Sequence, residues 1–132
     1  MSRDDLRPRP QPQGAASHCR SLDLLAAIAH SSSKAHGFWD DYDQLDAAGH
    51  NRRDAENIAL MHSELSEALE ALRHGNGPSD HVPSFTGVEE EMADVIIRVL
   101  GYCHGRGWRI GEAILAKMEF NYSRPNRHGK AF

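Results

Sequence analysis

The stretch "IALMHSELSEALEALRHG", residues 58 to 75, decides the fold because its apolar residues recur at the period of an α-helix. These residues alternate between spacings of three and four, which is typical of a buried helical stripe. The stripe consists of Ile58, Met61, Leu65, Ala68 and Leu72. Glu64 and Glu67 lie beside this stripe, whereas Glu70 falls on the face predicted to meet solvent.

Two carboxylates at the edge of a buried stripe need an explanation, because an unpaired buried carboxylate is costly. A second pair, Glu91 and Asp94, has the same spacing beside the apolar positions of a later helix. If the two helices pack antiparallel across their short loop, the pairs meet face to face. Four converging carboxylates repel one another at neutral pH, and a hard divalent cation, above all magnesium, removes that cost. The alternative is that both pairs are ordinary solvated carboxylates.

The flanking sequence predicts the first two helices and a tail. Residues 1 to 18 hold three of the six prolines and almost no large apolar residue, which predicts a disordered tail before a single domain over 19 to 132. Ser21 is the expected cap of helix one, and Gly37 is its expected end. The next segment, "FWDDYDQLDAAGH", is interpreted as either a structured loop or a short helix. Helix two is predicted to start between residues 51 and 54 and to end at His74.

Capping signals predict two further helices. Thr86 with Glu89 forms a capping box for helix three, which should stop at "GRG", residues 105 to 107. Helix four should begin near Ile110, without a good cap, and end before Pro125. The sequence therefore predicts an all-α chain of four helices, with no repeat and no convincing strand.

The composition excludes several classes of protein. A net charge of −4 argues against a general nucleic-acid binder, which normally presents a basic face. No apolar run approaches the roughly 20 residues that span a bilayer, and no apolar signal-peptide core is present. Cys19 and Cys103 do not make a disulfide framework. We therefore predict a cytoplasmic protein with neither a nucleic-acid nor a membrane partner.

Cations follow near the C-terminus. Lys117, Asn121 and Arg124 share one face of helix four, and Arg127, His128 and Lys130 come directly after it. Such a row suits a polyphosphate whose other end is bound through metal. The alternative is a solvated basic terminus that complements the helix dipole. Arg98, one turn after Asp94, is interpreted as a phosphate contact or as the ion-pair partner of Asp94, and the pairing is favoured.

Together these features resemble the MazG family of all-α nucleoside triphosphate pyrophosphohydrolases. The family motif is Glu-x-x-Glu, a spacer and Glu-x-x-Asp, and it reads here as Glu64, Glu67, Glu91 and Asp94. The stretches "HGFWD", "EEEMADVIIRVLGYC" and "KMEFNYSRPNRHGKAF" support it, so that the resemblance covers roughly residues 21 to 132.

The resemblance implies a four-helix bundle-like fold completed by dimerisation, as a homodimer or a dimer of dimers. It implies hydrolysis of a (deoxy)nucleoside triphosphate to the monophosphate and pyrophosphate, with magnesium as cofactor and manganese as a substitute, in nucleotide-pool housekeeping. Relatives that prefer cytosine deoxynucleotides carry an aromatic residue at the position of Arg98, which leaves the nucleoside preference open.

As a hypothesis for the mechanism, we assign roles to the residues. Glu64, Glu67, Glu91 and Asp94 would hold the metal, and Glu67 would orient or deprotonate the attacking water. The residues expected to contact the phosphates or the base are Lys117, Asn121, Arg124, His36, Trp39, Arg98, Arg127 and Lys130. Packing of the inter-helix loop is the alternative role for the histidine and the tryptophan. The rival functions are phosphoribosyl-ATP pyrophosphohydrolase and a non-catalytic helical interaction module.

Overall fold

The computed structural model describes residues 14 to 131, and this part of the chain is all-α, as predicted. Its four α-helices are α1 (Ala15–Ala35), α2 (Ala47–Arg73), α3 (Gly87–Arg106) and α4 (Ile110–Tyr122). Short 3-10 turns at Tyr42–Gln44 and Asn126–Gly129 lie between α1 and α2 and after α4. Among these residues the one β pairing is an isolated bridge between Pro78 and Thr86.

Local capping chemistry sets the limits of α3 where the sequence predicts them. The Thr86 hydroxyl accepts the backbone N–H of Glu89 at 3.3 Å, and the Glu89 carboxylate accepts the N–H of Thr86 at 2.8 Å. At the other end Gly107 adopts the left-handed conformation, with φ of 70°, which costs glycine little. The capping box and the stop at "GRG" are therefore confirmed.

The first helix starts earlier than predicted. It begins at Ala15 after Gly14, so residues 15 to 18 are helical and the predicted tail is wrong for them. Residues 1 to 13, the rest of that prediction, lie outside the described residues. Ser21 is not the cap, since its hydroxyl donates to the carbonyl of Ser17 at 3.1 Å within the helix.

Helix α2 also starts earlier, because Asp46 caps it. The Asp46 carboxylate accepts the backbone N–H of Gly49 at 2.7 Å, which satisfies an N–H of the first turn. The predicted start between residues 51 and 54 is therefore several residues late. The predicted end is confirmed, with His74 as C-cap. Helix α4 begins at Ile110 without a side-chain cap, also as predicted.

Helix α3 is the centre of the bundle, with α1 and α2 packed against it and α4 resting mainly on α1. Two glycines let α1 and its loop approach α3 closely. A Cβ at Gly101 would lie 3.1 Å from the Ala29 Cβ, and one at Gly105 would lie 2.3 Å from Cη2 of Trp39. Contacts between residues 64 and 98, and between 54 and 106, show that α2 and α3 run antiparallel, as predicted.

The predicted buried stripe of α2 is largely exposed. Ala68 is buried, but the exposed fractions of Ile58, Leu65 and Leu72 are 49%, 44% and 56%. The face that packs on α3 is centred on Glu64 and Ala68, and the apolar stripe flanks it. The stripe prediction was wrong because periodicity locates an apolar face without showing what covers it.

Within residues 14 to 131, no helix combines the length and the apolar character needed to cross a membrane.

Candidate functional site

Three of the four predicted acidic ligands converge between α2 and α3. Glu64, Glu67 and Glu91 each offer a carboxylate oxygen, and these oxygens all lie within 4.8 Å of one another. We call these residues the glutamate trio. Glu64 is buried, Glu91 is half-buried and Glu67 is exposed, so the trio opens from the helix interface toward solvent. Glu70 is exposed and pairs with Arg73 at 2.7 Å, which confirms its placement on the solvent face.

The trio offers carboxylate oxygens that could hold a divalent cation. Carboxylate oxygens are the donors that hard divalent cations prefer, and opposite ligands around Mg²⁺ stand about 4 Å apart. Neighbouring ligands stand closer, at about 2.9 Å, so the three side chains would have to draw together for one oxygen of each to bind the same ion. The donor set fits magnesium, and manganese is compatible with the same oxygens.

Asp94, the fourth predicted ligand, is half-buried on α3 one turn after Glu91. It lies outside the closest cluster and lines the neighbouring cleft. Burial raises the pKa of both Glu91 and Asp94, and the nearest acids, Glu67 for Glu91 and Glu64 for Asp94, raise it further. Crowded carboxylates of this kind attract a cation.

Arg98 pairs with Glu64, and the favoured pairing with Asp94 was wrong. Its Nε donates to Oε1 of Glu64 at 2.5 Å, and this ion pair bridges α3 and α2. The Glu64 side chain is 8% exposed and that of Arg98 is 41% exposed. The arginine therefore compensates the one buried carboxylate of the trio.

A cleft of about 500 Å³ adjoins this ion pair. Helices α1, α2 and α3 and the loop after α1 form its walls, and it is lined by both apolar and polar side chains. Asp94 and Arg98 are shared between the cleft and the acidic site. The dimensions suit a small organic ligand.

His36 and Trp39, the predicted base contacts, both line this cleft. Trp39 also packs in an aromatic cluster, with its ring centroid 4.7 Å from those of His30 and Tyr42 and 5.5 Å from that of Tyr102. Its indole N–H donates to the Ser33 hydroxyl at 3.1 Å. The packing alternative is therefore confirmed for Trp39, which is at the same time part of the cleft wall.

Beneath the aromatic cluster lies a polar network that sequence reasoning missed. Asp54 accepts the Tyr102 hydroxyl at 2.5 Å and the guanidinium of Arg106 at 2.7 and 3.2 Å. Arg106 also donates to the Tyr42 hydroxyl at 2.6 Å. We call these four residues the Asp54 network. It fixes Tyr42 and Tyr102, two walls of the cleft, to the helices behind them.

A second missed cluster holds the loop between α2 and α3. The Ser79 hydroxyl donates to Glu90, and Nδ1 of His81 lies 2.5 Å from the other oxygen of the same carboxylate. Hydrogen bonding to Glu90 raises the pKa of His81, and the hydrogen bond from Ser79 lowers that of Glu90. This cluster ties the loop to the turn of α3 that presents Glu91.

The predicted cation row does not reach the cleft within one chain. No described α4 residue lines it, and α4 packs mainly against α1. The charges of Lys117 and Arg124 lie 4.5 and 5.8 Å from the centroid of the Phe120 ring. Oδ1 of Asn121 is buried and lacks a hydrogen-bond partner among the described residues. Further along, Arg127 donates to the carbonyl of Ala131 at 3.0 Å, and Lys130 is exposed.

Comparisons with protein-family models, with curated proteins and with solved structures found no match to this chain.

Proposed function

We propose that this protein is a magnesium-dependent nucleoside triphosphate pyrophosphohydrolase. The observation that supports this most is the glutamate trio, three carboxylates from two helices within 4.8 Å of one another, beside a cleft of about 500 Å³ with aromatic walls. Acids at this spacing suit a divalent cation and the phosphates it carries, and the cleft suits a nucleoside. The proposed role is housekeeping of the cytoplasmic nucleotide pool.

The acidic residues would have two roles, metal binding and proton transfer. Glu64, Glu67 and Glu91 would hold magnesium, with Asp94 as a further acid at the border of the cleft. When bound there, magnesium would neutralise phosphate charge and acidify the attacking water. Glu67, the most exposed member of the trio, would accept the proton of that water on a carboxylate oxygen.

The cleft would hold the nucleoside. Trp39 and Tyr42 supply aromatic surface, and His36, whose Nδ1 is hydrogen-bonded to the carbonyl oxygen of Ser32 at 2.8 Å, would offer its other ring nitrogen. Flat heteroaromatic bases gain about 1–3 kcal/mol from stacking on such side chains. Since the tryptophan is packed on several sides and Tyr102 is only 6% exposed, Tyr42 shares the role first given to the tryptophan.

A panel of ribo- and deoxynucleoside triphosphates tests this function. With magnesium, we expect at least one of them to be converted to its monophosphate and pyrophosphate, and chelation should stop the reaction. Chromatographic identification of both products separates this chemistry from release of a single phosphate. Phosphoribosyl-ATP belongs in the same panel, since preferential turnover of it would favour the rival enzyme. No turnover of any member would contradict the proposal and leave the non-catalytic module.

We further propose that two copies pair through a set of exposed apolar side chains on α2. This surface consists of Ile58, Leu65, Leu69 and Leu72, each between 44% and 56% exposed. A contiguous apolar surface of this kind is typical of a protein–protein interface. In such a pair, the cation row on α4 of one copy could contact the phosphates bound to the other copy.

Light scattering tests the pairing. The chain should have twice its monomer mass, and Leu65→Glu together with Leu69→Glu should make it monomeric because carboxylates would enter the apolar surface. Val82→Glu is the matched control, since Val82 is also 44% exposed but lies on the loop between α2 and α3. A monomeric wild-type chain would contradict this interface.

A further inference from the structure

Arg98 forms an ion pair with Glu64, one of the acids that the proposed metal site needs. Its Nε lies 2.5 Å from Oε1 of Glu64, and Glu64 is the buried member of the glutamate trio. Without a counter-ion this carboxylate would be costly to keep charged at the helix interface. In the free protein the guanidinium therefore neutralises the charge of Glu64, as a metal ion would do in the metal-bound protein.

A divalent cation and this guanidinium oppose one another. Both are positive, and with both beside one carboxylate they would stand within a few ångströms of each other, where repulsion at low effective dielectric is strong. The carboxylate is 8% exposed and the side chain of Arg98 is 41% exposed, so water screens this repulsion only in part. Binding of the one should weaken binding of the other by the same factor.

A displaced Arg98 side chain could move toward the cleft. Its side chain is 41% exposed and lines the cleft beside Asp94. An arginine that leaves Glu64 would remain at the mouth of the cleft with its donors free, and a phosphate is the ligand that the guanidinium fork matches best.

We propose that Arg98 is an internal counter-ion that competes with the metal for Glu64 and becomes a phosphate contact once the metal has entered. This inference rests on the proposed function, because it assigns a regulatory role within the same site. The free site would thus be neutralised by its own arginine, and metal and triphosphate would favour each other's binding.

The opposite arrangement is also physically reasonable and makes the inference testable. An arginine that bonded one oxygen of Glu64 while the other bound metal would orient the ligand, and removing such a partner typically costs 10–100-fold in metal affinity. Competition instead predicts that removing the arginine raises the metal affinity. The direction of the change in affinity therefore separates the two roles.

Manganese is the probe, and its binding is measured by electron paramagnetic resonance or calorimetry without any nucleotide. We expect Arg98→Gln to bind Mn²⁺ about tenfold more tightly than the wild-type chain, within the usual range of coupling between two ligands. Arg98→Lys, which keeps a cation, should give an intermediate affinity. Circular dichroism in metal-free buffer checks that each variant is folded.

Arg53→Gln is the matched control for lost positive charge. Arg53 lines the same cleft but pairs with Asp41 at 2.8 Å, away from the trio. Its replacement should change Mn²⁺ affinity by no more than about twofold, because the ion pairs of Arg53 are with Asp41 and Glu56 and not with the trio. A similar gain in Mn²⁺ affinity in both arginine variants would show that the gain comes from the change in net charge. That result would overturn the proposed competition.

The remaining outcomes are distinct. Equal or weaker Mn²⁺ binding by Arg98→Gln overturns the inference while leaving the metal site intact. Absence of binding in every protein overturns the proposed metal site and the inference with it. If Mn²⁺ binds but no triphosphate is hydrolysed, the proposed function fails and the comparison of affinities still decides the role of Arg98.

Discussion

Replacing Glu64 with glutamine should reduce hydrolysis of the preferred triphosphate by about a thousandfold or more while the chain stays helical. The amide keeps the shape of the side chain but removes the buried negative charge of the glutamate trio. Loss of a metal that contributes several kcal/mol of transition-state stabilisation corresponds to a rate effect of this size. Steady-state kinetics at saturating magnesium measures the loss, and circular dichroism checks the fold.

Glu70→Gln is the control for that experiment. Glu70 is on the same helix but on its exposed face, where it pairs with Arg73 at 2.7 Å. Such surface changes are usually small, so activity should stay within about threefold of the wild-type value. Equal losses in the two variants would show that the effect comes from α2 as a whole and not from the acidic site.

The largest effect on stability should come from the Asp54 network. We expect Asp54→Ala to lower the free energy of unfolding by about 2–3 kcal/mol, because it leaves Arg106 and Tyr102 without the acceptor that satisfies them. The side chains of Asp54 and Arg106 are 17% and 22% exposed, so little water can replace the lost carboxylate. Equilibrium urea unfolding in metal-free buffer, at one fixed protein concentration, measures the change.

This contribution should depend on pH in a defined direction. Burial alone would raise the pKa of Asp54, but the hydrogen bonds from Arg106 and Tyr102 bring it below its ordinary value. The stabilisation is therefore complete above the ordinary carboxyl pKa and is lost as the pH falls through the lowered value. Asp41→Ala is the control, because the Asp41 carboxylate in its ion pair with Arg53 is 63% exposed, so that its loss should barely move the unfolding midpoint. An equal shift in both variants would contradict a special role for the network.

Local signals made much of the fold predictable. The capping box of Thr86 and Glu89, the helix stop at "GRG" and the poor cap before Ile110 each depend on a few adjacent residues, and all three were predicted correctly. The start of α2 was missed because Gly49 in its first turn suggests a loop, whereas the Asp46 carboxylate satisfies the N–H of that same glycine.

The acidic site was predictable in part for the same reason. Spacing along α2 and α3 places Glu64, Glu67 and Glu91 on facing edges, and an antiparallel pair of helices brings them together. The partners of Arg98 and Arg106 lie 34 and 52 residues away in the sequence. Such pairings depend on the register between two helices, which the periodicity of each helix alone does not define. The packing of α4 against α1 is likewise not defined by the periodicity of either helix.

Trp39 and Gly105 have a consequence for the evolution of this sequence. The indole occupies the space that any Cβ at position 105 would need, since Cη2 would lie only 2.3 Å from it. A larger residue at 105 would have to be accompanied by a smaller one at 39, and a smaller residue at 39 alone would leave a cavity beneath the cleft wall. A side chain at position 105 would also meet the His30 ring, whose Cε1 would lie 2.8 Å from that Cβ, so we expect any change on α3 at this point to require changes at both 39 and 30.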